Sequence, residues 1–522
     1  MTAPATRTLR LGTRRSALAR AQSGAVARRL EELHPGLRVE LVGIDTRGDR
    51  ILDQPLSTVE GKEFFTAEID AALLHGDVDL TVHSFKDLAL ERPATLTLAA
   101  VPPRENPRDI VLFAPDVRAQ LARGVPLRVG SSSPRRGAFI PDFLRRALPG
   151  GAQAELCELR GNVDSRLRRL REPRGSARQL DAVVLAFAGL ARLWRDESVG
   201  GRALLGELLA GLPRMIVPLT ACPAAPAQGA LAIECRSDDA ATRALLAAID
   251  DGATRHAVAA ERQLLAARGG GCHQQFGATQ LAVPGLGALL HLRAADASGA
   301  EPAQLRWTAE TPLPERGPIT GIWDGSQQGG NPTEPLPGVT AACAAALAQA
   351  PATFIAHRLA LPDLTPEQAG VCAHVWVPGT GTWYALAARG VWVEGCAEGL
   401  GFETLQPLLA EPLLQLPAAA EWLVLTHAGA VAGWKAGRVL ATYRHVEVAD
   451  ADDNAAGGTP LAAASHLYWH SAAQFERWRA LAPRNAQHAC AYGKTAERLR
   501  AAGLATVTVF PSAREWREWL AT

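Results

Sequence analysis

The stretch PLRVGSSSPRRGAF (126–139) contains the pattern that organises the first half of the chain. Its β-branched start predicts a strand ending at Gly130, and Pro134 is typical of the first turn of a helix. The same pattern of a short apolar run followed by a helix-like segment recurs on both sides. Further strands are predicted at LRVELVGI (37–44), VDLTVH (78–83) and DAVVLAFAG (181–189). Such alternation predicts parallel sheets with helices on both faces.

The length of this alternating region predicts more than one sheet. Residues 8–240 exceed what one such sheet needs, so we expect two α/β lobes with a ligand cleft between them. From about residue 240 the regular alternation of strands and helices ends. The sequence RHAVAAERQLLAARGGG (255–271) predicts a helix that its glycines terminate. The Gly- and Pro-rich segment 316–338 is typical of a flexible insertion, and strands alternate with helices again from 373.

Composition excludes some classes of function. The net charge of +1 argues against a protein that coats nucleic acid. Eight cysteines lie apart, without a CxxC pair or a metal-ligand spacing, and no export signal precedes them, so we expect reduced thiols in the cytoplasm. Of 54 basic residues only four are lysines, which leaves 50 arginines. Because genomic bias accounts for most of that excess, the positions of the arginines carry the information.

Two motifs place reactive or charged groups where a strand ends. In TVHSFKDLAL (81–90), Lys86 and Asp87 follow a strand, at the edge where open α/β sheets bind ligands. They fit an acid–base pair, or simply a solvated pair on a loop. In VGSSSPRRGAF (129–139), serines, helix amides and two arginines form a candidate anion site, the alternative being a helix cap followed by surface arginines.

A further group of arginines and one cysteine add to these motifs. The arginines lie at strand–helix junctions and favour the same sheet edge: Arg14, Arg160, Arg166 and Arg192. Cys272 follows three glycines in GGGCHQQFGA (269–278). Glycines would let a bulky group approach a thiolate there, whereas most lone cysteines are small core residues.

In this order the motifs closely resemble hydroxymethylbilane synthase, also called porphobilinogen deaminase, over residues 8–282. TRGD (46–49), PAQGALAIECR (226–236) and AERQLLAARGGGC (260–272) add to the resemblance. It implies a monomeric cytoplasmic transferase of tetrapyrrole (haem) biosynthesis. Such an enzyme joins four porphobilinogen molecules head to tail, releases ammonia and gives hydroxymethylbilane. The implied partners are porphobilinogen and the growing linear polypyrrole, with no nucleic acid, membrane or metal.

The resemblance also assigns residues. It implies a dipyrromethane cofactor joined to Cys272 by a thioether, with Asp87 as the catalytic carboxylate and Lys86 beside it. Cofactor-binding positions are Ser132, Ser133, Arg135, Arg136, Lys86 and Asp87. Substrate-binding positions are Arg14, Ser16, Arg160, Arg166 and Arg192, and a mobile lid carries Asp49, Lys62 and Phe65. Each pyrrole adds two carboxylates, which arginines match.

The last part of the chain resembles a shortened uroporphyrinogen-III synthase. The motifs are ATYRHVEV (441–448), HLYWHSAAQF (466–475) and AYGKTAERLRAAGL (491–504). Tyr443, Ser471 and Thr495 fall on positions that contact substrate in that family. The family's opening strand and helix are missing from the pattern, so this domain is expected to be incomplete. The domain either supplies a second enzymatic activity or is a degenerate domain retained for packing or partner contact.

The expected fold is α/β: two periplasmic-binding-protein-like lobes, a small α+β third domain and a C-terminal α/β domain. Lobe 1 takes 1–112 and 213–238, lobe 2 takes 113–212, the third domain takes 239–358, and the C-terminal domain takes 366–522. The alternative function is a non-catalytic two-lobed protein that binds an acidic small molecule. That class needs neither Asp87 nor Cys272, and architecture alone does not separate the two.

Overall fold

The structure is a computed structural model with two compact units. It describes residues 7–46, 66–198, 200–271, 274–283, 287–296, 298–308, 313–326, 332–365, 368, 373–435, 437–446, 460–504 and 506–521. The first unit comprises Met1–Arg145, Ala152–Gln280 and Leu292–Ala303. The second comprises Arg146–Gly151, Leu281–His291 and Gln304–Thr522. No helix in the described ranges is both long enough and apolar enough to cross a lipid bilayer.

The first unit contains two mixed sheets. Their strands are β1 (Arg7–Arg14), β2 (Leu37–Ile44), β3 (Leu80–Ser84), β4 (Leu96–Ala100), β5 (Asp109–Phe113), β6 (Leu127–Gly130), β7 (Ala154–Cys157), β8 (Ala182–Ala186), β9 (Arg214–Ile216) and β10 (Leu231–Arg236). One sheet has the order β2-β1-β3-β10-β4 and the other β7-β6-β8-β5-β9. The two sheets therefore share one topology, which confirms the prediction of two α/β lobes.

One strand in each sheet runs against its neighbours. β10 is antiparallel to β3 and β4, and β5 is antiparallel to β8 and β9. These are the strands at which the chain passes from one lobe to the other. The predicted boundaries assign most of β5, Asp109–Leu112, and all of β9 to lobe 1, whereas both strands hydrogen bond in the second sheet. The lobes therefore meet at the segments before β5 and after β9.

Helices cover these sheets, as the alternating pattern predicts. They are α1 (Ala17–Leu33), α2 (Ala67–His75), α3 (Val117–Ala122), α4 (Pro134–Ala147), α5 (Val163–Arg168), α6 (Phe187–Arg195), α7 (Gly201–Leu209), α8 (Ala240–Leu246) and α9 (Gly252–Ala267). Ser16 caps α1 by accepting from the Ala19 amide at 3.3 Å. Leu30 on α1 packs in one core cluster with Leu9 and Leu11 of β1. Apolar burial of this kind fixes the helices against the sheet.

Shorter strands follow α9. They are β11 (Phe276–Val283), β12 (Gly287–Asp296), β13 (Gly299–Ala300) and β14 (Gln304–Trp307). β12 and β13 pair antiparallel, with Ala295 opposite Ala300. In the first unit, the backbone of β11 is tied to the crossover before β10, because the Ala278 amide donates to the carbonyl of Ala224 at 3.0 Å.

The second unit also contains two sheets. Its further strands are β15 (Ile322–Trp323), β16 (Thr333–Pro335), β17 (Thr353–Ile355), β18 (Val375–Val377), β19 (Val393–Cys396), β20 (Leu423–His427), β21 (Arg438–His445), β22 (His466–Trp469), β23 (Gln487–Cys490) and β24 (Val507–Val509). Its helices are α10 (Val339–Gln349), α11 (Thr380–Ala387), α12 (Gln406–Leu409), α13 (Ala472–Trp478), α14 (Lys494–Ala501) and α15 (Ala513–Ala521). The orders are β16-β21-β20-β17-β18-β19 and β15-β22-β23-β24.

The segment 316–338 differs from the predicted flexible insertion. It supplies β15, which pairs parallel with β22, and β16, which pairs antiparallel with β21. Trp323 of β15 is buried, and its ring centroid lies 4.9 Å from that of Trp469. The Gly- and Pro-rich composition of the segment gives no sign of these short strands, and β15 is stabilised by the burial of Trp323. Strand β15 thus belongs to the sheet of β22, although it precedes the predicted start of the C-terminal domain at residue 366.

Candidate active site

Lys86 and Asp87 lie where strand β3 ends, as predicted. The strand stops at Ser84, and a 3-10 turn covers Phe85–Asp87. Phe85 is buried, Lys86 is half-buried and Asp87 is exposed. The apolar Phe85 thus anchors the turn, and the Asp87 carboxylate is accessible at the carboxyl edge of a parallel strand pair.

Arg262 on α9 holds this turn, a role that sequence reasoning missed. Its guanidinium donates to the carbonyls of Phe85 at 3.2 Å, Leu88 at 3.0 Å and Ala89 at 2.7 Å. The same group lies 4.7 Å from the centroid of the Phe85 ring. These contacts span residues on both sides of Asp87, so α9 fixes the backbone that carries the carboxylate.

A hydrogen-bond chain connects Lys86 to the crossover strands. Lys86 Nζ donates to Gln228 Oε1 at 3.3 Å. The Gln228 amide nitrogen donates to the Pro107 carbonyl at 2.7 Å and to Asp109 Oδ1 at 2.9 Å. Burial lowers the pKa of Lys86, with Asp87 opposing that effect and Arg136 adding to it. Asp109 lies in none of the motifs, and the motif that contains Gln228 does not indicate its contact with Lys86, which only the fold creates.

Arg135 and Arg136 are buried at the start of α4 and share one carboxylate. Asp109 accepts from each guanidinium at 2.7 Å. Burial opposes the charge of Asp109, but the two arginines outweigh it and hold the pKa of that carboxyl far below its usual range. Arg135 also donates to the Pro223 carbonyl at 2.8 Å, and Arg136 to that of Val184 at 3.0 Å. The Nε groups of both arginines are buried without a hydrogen-bond partner among the described residues.

The serines beside these arginines make local contacts. The Ser132 hydroxyl donates to the Leu159 carbonyl at 2.7 Å and accepts from the Leu159 amide at 3.0 Å. The Ser133 hydroxyl accepts from the Arg136 amide at 3.5 Å, as a weak helix cap. Ser132 thus joins the loops that follow β6 and β7. That contact brings the anion-site motif next to the loop of Arg160.

Arg160 and Arg166 lie on the loop and helix after β7. Arg166 Nε donates to the Gly161 carbonyl at 2.7 Å. Burial lowers the pKa of Arg166 to about 10, with Arg136 and Arg160 adding to the effect and Asp87 opposing it. Arg166 therefore lies within electrostatic range of Asp87, although the two belong to different lobes. It stays protonated at neutral pH.

Arg14 and Ser16 lie where β1 ends, whereas Arg192 lies within α6 and not at the predicted strand–helix junction. Arg14 ends β1, and the Ser16 side chain caps α1. Arg192 on α6 donates to the Gly229 carbonyl at 2.6 Å, and burial lowers its pKa to about 10. Gly229 has a φ of +88°, and an added Cβ would lie 2.4 Å from the Glu105 carbonyl oxygen. Only glycine allows the two crossover segments to approach this closely.

The cysteine predicted to hold the cofactor and the residues predicted to form a lid are not among the described residues. Cys272, Asp49, Lys62 and Phe65 lie outside the described residues. The glycines before Cys272 are described, and Gly269, Gly270 and Gly271 all have positive φ. An added Cβ on Gly270 would lie 2.8 Å from the Leu90 side chain, on the segment that follows Asp87. The glycine run thus passes close to the turn that carries the carboxylate.

A buried group behind β3 has the composition of a metal site. Asp70, His83 and Glu234 have potential ligand atoms within 4.8 Å of one another. Arg92 donates to Asp70 at 2.7 Å and to Glu234 at 2.7 Å. Burial lowers the pKa of His83 to about 4. Because one guanidinium already bridges both carboxylates, the group acts as an ion-pair network that supports the sheet.

The second unit carries the three positions assigned there from sequence. Tyr443 is buried on β21. Ser471 caps α13, where its hydroxyl accepts from the Gln474 amide at 3.1 Å. Thr495 is the second residue of α14. Tyr443 lies opposite His427, the last residue of the parallel strand β20. It therefore occupies the edge at which a parallel sheet binds ligands.

Comparison with known proteins identifies the family. The sequence profile described as "Porphobilinogen deaminase, dipyromethane cofactor binding domain" matches residues 9–244. Porphobilinogen deaminase from Roseiflexus sp. (strain RS-1) is 44% identical over 52% of this chain and 80% of that protein. The enzyme from Xanthomonas oryzae pv. oryzae (strain PXO99A) is 44% identical over 51% and 79%, and that from Acidothermus cellulolyticus is 44% identical over 53% and 76%.

Those matches leave the C-terminal half of the chain unassigned. Among solved structures, the BenM effector-binding domain with benzoate covers 51% of this chain and 95% of that chain, at 14% identity and a TM-score of 0.26. A TM-score this low does not bear on the fold, which the strand orders define. The relatives, however, are similar over most of their own length. The chain therefore belongs to the porphobilinogen deaminase family, with hydroxymethylbilane synthase activity (EC 2.5.1.61) in tetrapyrrole biosynthesis and a dipyrromethane cofactor.

Proposed function

We propose that Asp87 is the catalytic carboxylate of this reaction and that Cys272 carries the cofactor. The observation that supports the proposal is that the Asp87 carboxylate is exposed beside cations that burial leaves poorly solvated. Lys86 and Arg166 are both within electrostatic range of that carboxylate. In each condensation a C–N bond of porphobilinogen breaks and ammonia leaves. A C–C bond then forms, and one proton is lost from the pyrrole carbon that was attacked. A fixed carboxylate stabilises the cation left by ammonia and can accept that proton.

The surrounding residues fit an acidic oligopyrrole. When bound, the dipyrromethane supplies a covalently held acceptor for the first added pyrrole. The buried Nε groups of Arg135 and Arg136 lack partners among the described residues, and their N–H donors suit carboxylates. Burial leaves Arg166 and Arg192 poorly solvated, which favours an anionic ligand. Arg14, Ser16, Arg160, Ser132 and Ser133 are proposed to complete the cofactor and substrate contacts.

The lid and the domain roles are part of the same proposal. Asp49, Lys62 and Phe65 are proposed to cover the cleft between the lobes. The segment after Arg236 is proposed as the small domain that presents Cys272. Its helix α9 supports this role, since Arg262 contacts the turn of Asp87 and the helix leads into the glycine run.

Two variants test the assignment. Cys272→Ser should remove the mass increment of one dipyrromethane from the intact purified protein. Asp87→Ala should abolish porphobilinogen consumption and keep a native circular dichroism spectrum. Asp77→Ala, on the loop after α2, is the matched control and should keep activity. Unchanged mass in the first variant, or wild-type turnover in the second, would contradict the proposal.

We also propose that the second unit is a uroporphyrinogen-III synthase-like domain that closes hydroxymethylbilane. The supporting observation is its pair of α/β sheets, with Tyr443 at the carboxyl edge of one of them. Ser471 and Thr495 are the other proposed contacts. The test is the ring isomer formed from porphobilinogen by the full chain. The type III ring, lost in Tyr443→Phe, supports the proposal, and the symmetric type I ring alone overturns it.

A further inference from the structure

A group of imidazoles surrounds Tyr443 in the second unit, and no motif drew attention to it. His427 is the last residue of β20, His357 follows β17, and Tyr443 and His445 end β21. Strands β17, β20 and β21 are parallel neighbours, so all four side chains belong to one carboxyl edge. This is the edge at which open α/β sheets bind small molecules.

The four rings lie close together. The ring centroids of His427 and His445 are 4.9 Å apart, and that of Tyr443 lies 5.7 Å from each of them. His357 lies 6.2 Å from Tyr443. Tyr443 is buried, His427 and His445 are half-buried and His357 is exposed. The cluster is therefore open to solvent on the His357 side and closed behind Tyr443.

A lysine from the other sheet of the same unit completes the cluster. Lys494 starts α14, and its Nζ lies 3.5 Å from the centroid of the Trp434 ring. Trp434 belongs to the loop after β20 and packs on Phe354 of β17 at 5.5 Å. Lys494 lowers the pKa of His427 together with His445 and His357, which act in addition to burial. The lysine is thus within electrostatic range of the imidazoles.

The charged groups that act on His357 and His427 themselves are cationic. Besides Lys494, the groups that act on the imidazoles include Arg358, which lowers the pKa of His357 after burial. The acidic groups nearby are Glu403 and Glu497, which act on Lys494. Burial and the neighbouring cations lower the pKa of His357, and they lower that of His427 to about 4. A ligand with several carboxylates would reverse that balance, because each carboxylate favours the protonated imidazole.

We propose that His357, His427, His445, Tyr443 and Lys494 form a binding site for a polycarboxylate, and that the imidazoles take up protons from solvent as it binds. The ligand class is a carboxylated tetrapyrrole, an identification that rests on the function proposed for the second unit. The site itself depends only on the cluster. Its affinity should increase as the pH falls, by up to about tenfold per pH unit for each proton taken up.

The probe is uroporphyrin I, which carries eight carboxylates, titrated into the full chain. Calorimetry at pH 7 in two buffers with different ionisation enthalpies measures proton uptake. We expect uptake on binding, and about tenfold or greater tightening between pH 8 and pH 6. The double variant His357→Gln/His427→Gln should lose most of the uptake and about tenfold in affinity at pH 6. His75→Gln, at an exposed position on α2, is the matched control and should behave as the wild type.

Several results would overturn the proposal. They are no binding by the wild-type chain, binding without proton uptake, or equal uptake in the double variant and in His75→Gln. Proton uptake by the wild-type chain needs no variant, so misfolding of the double variant does not decide the outcome. Binding and uptake together with only the type I ring product would reject the cyclisation activity and keep the site.

Discussion

The two units gather cations in different ways. In the first unit the buried cations are arginines, and Asp109 is fixed between Arg135 and Arg136 at 2.7 Å from each. In the second unit the cluster consists of imidazoles and one lysine around Tyr443. Arginine keeps its charge throughout the physiological range, whereas imidazole does not. The guanidiniums of the first centre are thus permanently charged, whereas the imidazoles of the second gain charge as the pH falls.

The largest expected effect comes from breaking the permanent centre. Asp109→Asn leaves two buried guanidiniums without a counter-charge, which typically costs about 3–5 kcal/mol. Urea unfolding followed by proteolysis of first-unit segments measures that loss. Asp142→Asn, which breaks a solvent-exposed pair with Arg145 on the same helix, should cost less than about 1 kcal/mol. Equal losses in both variants would mean that the Asp109 pairs do not depend on burial.

A smaller effect is expected at the residue that holds the turn of Asp87. Arg262→Gln removes donors to three carbonyls around Asp87. We expect kcat for porphobilinogen consumption to fall about 10- to 100-fold with little change in KM, because the carboxylate is misplaced while the arginine contacts remain. The cofactor mass increment should persist. Arg268→Gln, at an exposed pair with Glu301, serves as the control. A rise in KM alone would assign Arg262 to substrate binding.

The sequence predicted the positions at strand ends, because these depend on local pattern. Lys86 and Asp87 follow β3, and Arg14 ends β1, as strand–helix alternation requires. It did not predict that Arg135 and Arg136 would pair with Asp109. That carboxylate reaches them only because β5 is inserted, antiparallel, into the second sheet. Arg262 contacts Phe85 across 177 residues, which no local pattern encodes.

The second unit illustrates the same limit in another way. Its motif ATYRHVEV identified Tyr443, yet His357 and His427 come from neighbouring strands far apart in sequence. Parallel pairing of β17, β20 and β21 brings them together, and parallel pairing is always non-local. The short strand β15 was hidden for a similar reason, since Trp323 is stabilised by packing on Trp469. The motif therefore indicated the strand on which Tyr443 lies, but not the distant residues that surround it.

The smallest expected effect concerns the pH response of the second centre. The pKa of His427 in the folded chain is lowered from 6.5 to about 4, so the unfolded chain binds more protons between these values. Stability contributed by this group is complete above pH 6.5 and is lost as the pH falls towards 4. Asp109 behaves differently, because the stabilisation that accompanies its lowered pKa is complete above the usual pKa range of a carboxyl group and is lost only as the pH falls through and below that range. Acidification from pH 7 to pH 4.5 should therefore weaken the second unit before the Asp109 centre.

Lys494→Gln refines that comparison. Lys494 acts on His427 after burial, His445 and His357, so its removal should raise the pKa of His427 only slightly. We expect less than about 0.5 kcal/mol of added stability at pH 5 and no change at pH 8. Histidine resonances followed by NMR during a pH titration report the pKa directly. Lys435→Gln, at an exposed lysine on the same loop as Trp434, should leave the titration unchanged. If the two variants titrate identically, Lys494 does not belong to the cluster, and the imidazoles alone set its charge.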